Sequence, residues 1–126
     1  MTPELKSKWL AALRSGKYQQ GHETLHPTFD RFCCLGVLCD VAGYEWRPVY
    51  DESGTEIQRY NCAAGEDYIE YVNELNDLGL PADIQKICYN MNDGTLHGEK
   101  EILERIGGEE RVYSFAEIAD WLEKNL

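Results

Sequence analysis

The sequence predicts a single small α+β domain spanning 1–126, with N- and C-terminal amphipathic helices packed with short antiparallel hairpins. Three observations lead there. Apolar residues recur at helical spacing near both ends, each series preceded by a capping signal. β-prone aromatic stretches broken by Gly and Pro fill much of the first half. The 126 residues, 43% hydrophobic and 28% charged, suit one core and leave no room for two.

Taken in order, Thr2 caps a helix whose first position is Pro3, with Leu5, Trp9, Leu10, Ala12 and Leu13 on one side and Gly16 at its end. Lys17-Tyr18-Gln19-Gln20 and Thr28-Phe29-Asp30-Arg31-Phe32-Cys33, separated by Gly21 and His26-Pro27, read as a β-hairpin. The apolar run 35–42, stopped by Gly43, reads as a short buried helix, with a continuous buried strand as the alternative. Residues 44–50 and 55–60 flank Asp51-Glu52-Ser53-Gly54 and give a second hairpin, whose Pro48 makes its first strand an edge. A helix over 67–78 places Ile69, Val72 and Leu75 on one side, although the Tyr and Ile density also permits strand. Leu80-Pro81 opens a helix striped by Ile84, Ile87, Cys88 and Met91 and ended by Asn92-Asp93-Gly94. A turn or two over 99–106 precedes Gly107-Gly108. Ser114 and Glu117 then form a capping box ahead of the stripe Phe115, Ile118, Ala119 and Leu122.

Charge narrows the functional classes. With 12 Lys and Arg against 23 Asp and Glu, the formal charge of -11 argues against general binding of nucleic-acid backbones, which needs a cationic face. The two signs nearly balance over 1–60, so almost all the negative excess falls in 61–126, and an anion site belongs in the first half. No apolar run approaches the roughly 20 residues of a membrane span, and the first residues resemble no secretion signal. A cytoplasmic protein that does not enter the membrane is expected.

The five cysteines form an odd set, and without a secretion signal reduced thiols are a better reading than a disulfide framework. No pair has the two-residue spacing of a zinc knuckle, so no metal site is expected, and no phosphate-loop or dinucleotide fingerprint implies a cofactor. Cys34, read as the start of a helix, could act as a nucleophile with Gln20 as oxyanion donor and His97 as base. Small core hydrophobes explain the cysteines more simply.

Material for holding a ligand lies in the first half. Lys17, Tyr18, Gln20, Arg31, Trp46, Arg47 and Arg59 combine cations, an amide and aromatic faces, the groups that stack a base and hold a phosphate. Against this, a Tyr or Trp in a hairpin mostly packs a sheet face, and an Arg mostly lies on the surface.

Lys8-Trp9-Leu10-Ala11-Ala12-Leu13-Arg14-Ser15-Gly16-Lys17-Tyr18-Gln19-Gln20-Gly21 and Phe32-Cys33-Cys34-Leu35-Gly36-Val37-Leu38-Cys39-Asp40, with Met91-Asn92-Asp93-Gly94 and Ser114-Phe115-Ala116-Glu117-Ile118-Ala119-Asp120, carry a resemblance. Together they resemble a family of short proteins known mainly from bacteriophage genomes and prophages. In those relatives the Asn-Asp-Gly step runs almost directly into the Ser-Phe helix, whereas residues 95–113 intervene here. The resemblance implies a phage origin rather than a reaction. Small phage proteins of this kind are often counter-defence factors, and one strategy is to sequester the cyclic nucleotides that signal bacterial immunity.

The expected function is therefore a non-catalytic counter-defence protein in the host bacterial cytoplasm that binds a cyclic nucleotide. Tyr18 or Trp46 would stack the base, and Lys17 and Arg31 would meet phosphate. Because a small domain best encloses a dinucleotide at a symmetric interface, a homo-oligomer is expected. An acidic inhibitor that mimics DNA against a host defence or DNA-processing protein is the alternative, and a thiol hydrolase ranks third.

Overall fold

A computed structural model describes residues 1–64, 67–69, 75, 78–94 and 100–126. Helix α1, Pro3–Arg14, starts where Thr2 Oγ1 accepts the Leu5 N–H at 3.2 Å, and it buries Trp9, Leu10 and Leu13. Helix α2, Cys34–Val41, follows the short strands β1, Gln19–Gln20, and β2, Arg31–Phe32. Its N-cap is Cys33, whose sulfur accepts the Gly36 N–H at 3.3 Å, and every residue from Cys34 to Cys39 is buried. The apolar run is thus a helix. It is apolar on all sides because α1, α3 and the preceding loop surround it.

Strands β3, Glu45–Tyr50, β4, Glu56–Ala64, and β5, Asp67–Ile69, form an antiparallel sheet in the order β3-β4-β5. The turn between β3 and β4 is built on Asp51, whose Oδ1 accepts the Ser53 and Thr55 N–H groups, while Gly54 adopts φ 82°. Pro48, which cannot donate to a ladder, sits on the edge strand as its chemistry requires. Helix α3, Ala82–Asp93, ends at Gly94 in the left-handed conformation. Helix α4, Lys100–Ile106, and α5, Phe115–Asn125, complete the chain, and the Ser114/Glu117 capping box is present. The core lies where α2 meets α1 and α3, closed by α5 against α1 and α3.

Two local expectations need correction. Residues 17–34 do not form an antiparallel hairpin: β1 and β2 pair in parallel, Gln19 with Arg31 and Gln20 with Phe32. The chain between them is a loop that sinks Leu25 and His26 into the interior before crossing back, so β2 enters in the same direction as β1. Helix over 67–78 is also wrong at its start, because Asp67–Ile69 extends the sheet beside β4. The aromatic and β-branched pair Tyr68-Ile69 favours the strand there. Of the remainder, 70–78, only 75 and 78 are among the described residues.

Candidate functional site

An aromatic cluster joins the loop before β2 to the sheet. The ring of buried His26 stacks on Phe32, with centroids 3.9 Å apart and planes 17° from parallel. It also meets Tyr60 at 4.6 Å and Trp46 edge-on at 4.8 Å. Tyr18 stands edge-on to Phe32 at 5.1 Å. Asp40, on the last turn of α2, ties the outer rings down: Tyr18 donates its hydroxyl to one carboxylate oxygen and Trp46 Nε1 donates to the other at 3.0 Å. Both rings are half-buried and fixed at the polar end, which preorganises them for contact.

Burial sets the ionisation of the Tyr18 hydroxyl and the His26 ring in this cluster. Burial, helped by the Asp40 carboxylate, pushes the Tyr18 hydroxyl up to about 12, so it remains a donor. Burial lowers the His26 pKa below its usual value against the opposing pull of the Arg31 carbonyl, which lies 2.7 Å from Nδ1. The imidazole is neutral at pH 7.

Behind the cluster lies a buried polar junction. Asn92 is fully buried at the end of α3; its Oδ1 accepts the Cys34 N–H and Gln20 Nε2, both at 3.1 Å. Its Nδ2 donates to the Gly21 carbonyl at 2.8 Å and to Asp93 Oδ1 at 2.9 Å. His22 Nδ1 reaches the Asn92 carbonyl at 2.9 Å, and the Glu23 N–H, from a residue at φ 76°, reaches Asp93 Oδ1 at 3.2 Å. Trp9 Nε1 donates to the Cys34 carbonyl at 2.9 Å. Three of the motifs behind the family resemblance therefore meet at the first turn of α2. Gly36 belongs to the same junction, because a methyl there would collide with the Leu25 carbonyl oxygen.

The sequence-predicted residues divide accordingly. Tyr18 and Trp46 come together on Asp40. Lys17 is exposed beside Tyr18, and exposed Arg31 donates to the Gln20 carbonyl at 3.2 Å across the β1–β2 pair. Gln20 turns inward, its amide donating to Asn92 and to the Tyr113 carbonyl at 2.8 Å, so its side chain serves the junction. Arg47 is exposed and follows Trp46 on β3, where alternation turns it to the opposite strand face. Arg59 belongs to β4, but its side chain lies outside the described residues.

Cys34 does begin α2, yet it is fully buried; burial raises its thiol well above the ordinary range, and its Sγ points to the Cys88 carbonyl at 3.5 Å. His97 lies outside the described residues. Among the described residues, no three His, Cys, Asp or Glu side chains are grouped to hold a metal ion, and no helix is long and apolar enough to cross a membrane.

Sequence reasoning missed His26, Phe32, Asp40 and Asn92. In the sequence His26 is legible as part of a turn signal and, with His22, as a zinc-ligand candidate, while Asp40 sits inside the apolar run 35–42. A buried Asn is identified by partners far along the chain, which spacing does not reveal.

The arrangement defines a small α+β domain with a polar-anchored aromatic cluster on its N-terminal half. The chain belongs to the family described as Domain of unknown function (DUF8296), whose model matches residues 1–126. No curated protein and no solved structure matches it.

Proposed function

We propose that this chain is a phage counter-defence protein that binds and sequesters a cyclic nucleotide signal, acting as a homo-oligomer in the cytoplasm of the host bacterium. The observation that carries the reading is the anchoring of Tyr18 and Trp46 on the single carboxylate of Asp40, with exposed Lys17 adjoining Tyr18 in the chain. Fixed aromatic faces lose little entropy on stacking a base, and a flanking ammonium supplies local positive potential within an acidic protein. Phage origin and the role in defence rest on the resemblance in the motifs.

The acidic-inhibitor reading has less support. Arg111 pairs with Glu109 at 2.8 Å and with Glu117, and Arg14 pairs with Asp120 at 2.8 Å and Glu123 at 3.1 Å. Several carboxylates that a DNA mimic would present are thus already partnered. A thiol hydrolase is less supported still, given the inaccessible, protonated Cys34.

The test is titration of purified protein with cyclic nucleotides by calorimetry. Lys17→Ala should weaken affinity about tenfold, the scale of one lost charge-assisted contact. Unchanged affinity in this variant would remove Lys17 from the site.

A further inference from the structure

A groove of about 290 Å³ opens at the C-terminal end of α1, lined by Ala11, Ala12, Ser15, Lys17 and Tyr18. We infer that this groove takes one nucleotide unit per chain, so that a cyclic dinucleotide is held between two copies of the protein. The inference rests on the nucleotide-binding reading and names its ligand unit and stoichiometry.

Size and charge both lead to a single unit. Pockets that enclose drug-sized ligands run from about 300 to 1,000 Å³, so this groove stands at the lower limit and suits one base with its sugar and phosphate. Ala11 and Ala12 contribute apolar lining, and Tyr18 contributes an aromatic side chain. Asp40 holds the Tyr18 hydroxyl, and Phe32 braces the ring edge-on at 5.1 Å, so this side chain is already in position. Lys17 is the cation of the lining. Arg14, one turn away, is held by Asp120 and Glu123, and the Arg31 guanidinium is bonded to the Gln20 carbonyl outside the groove.

A 3′,5′-cyclic dinucleotide carries two bases and two phosphates related by a two-fold axis. One groove and one lysine serve half of it, and a second copy about the same axis serves the other half. The site is incomplete without that copy.

The experiment is native mass spectrometry and calorimetry of the full chain with cyclic di-AMP, cyclic di-GMP and the matching 5′-mononucleotides. Two chains per cyclic dinucleotide are expected, with one chain per mononucleotide at lower affinity. Ala11→Trp fills the groove from an exposed position, and Lys17→Glu reverses its charge. Each should cost about tenfold or more in affinity while retaining the wild-type melting transition. Saturation at one cyclic dinucleotide per single chain, or affinity unchanged in both variants, would overturn the groove assignment and leave nucleotide binding itself standing. Absence of binding by every nucleotide would overturn both.

Discussion

Asn92 shows how much structure one side chain can organise. Its amide joins the end of α3 to the first turn of α2 through the Cys34 N–H, to the loop through the Gly21 carbonyl, and to β1 through Gln20. Asn92→Ala leaves these buried groups without partners, and unpaired buried groups cost about 1–3 kcal/mol each. A loss of about 3 kcal/mol is expected, read as a lower urea midpoint with an unchanged slope. His26 carries a second prediction at this scale. Because burial lowers its pKa, the unfolded chain binds a proton that the folded chain excludes. Stability is therefore full above the unfolded value of 6.5 and declines as pH falls from there toward the lowered folded value. Urea midpoints between pH 7.5 and 5 should show that slope, and His26→Phe should flatten it. Glu117, held at about 2 by Arg111 and the Ser114 cap, contributes at more acid pH: its share is present above 4.5 and lost on descent toward 2.

At the scale of elements, directional contacts among the described residues tie the β3–β4 hairpin to α2 and to the loop before β2. Trp46 reaches Asp40 of α2, and the Tyr60 N–H donates to the His26 carbonyl at 3.1 Å. Asp40→Ala removes the first tie and releases the Tyr18 hydroxyl as well. Amide exchange should rise over 45–60 while α1 and α5 retain their protection, since local opening follows the weakest attachment. Uniform acceleration across the chain would instead make Asp40 a determinant of global stability.

The same distinction explains what was legible in the sequence. Helices α1, α3 and α5 announce themselves through Pro3, Gly94 and the Ser114/Glu117 box, because caps are local chemistry. The turn at Asp51 and the edge position of Pro48 are local as well. The parallel pairing of β1 with β2 is not, since two-residue strands carry no register signal and Leu25 fixes the intervening loop from the core side. Within the site, Tyr18 and Trp46 were visible as aromatics near cations. Their meeting point on Asp40 was not, because it depends on how the sheet folds back over α2.

At the scale of the whole molecule, an acidic chain is proposed to hold an anionic ligand, and the fold indicates how these properties coexist. Arg111, in the loop before α5, and Arg14, at the end of α1, are committed to carboxylates, whereas exposed Lys17 lines the α1 groove beside a fixed tyrosine. Lys17 then supplies a local positive charge within an acidic chain. Native mass spectrometry of the wild-type protein, before and after incubation with a panel of cyclic mono-, di- and trinucleotides, tests this account most directly. The account predicts an oligomer that retains a nucleotide and releases it chemically intact on denaturation. Failure to retain any nucleotide across the panel, or release of an altered one, would contradict it.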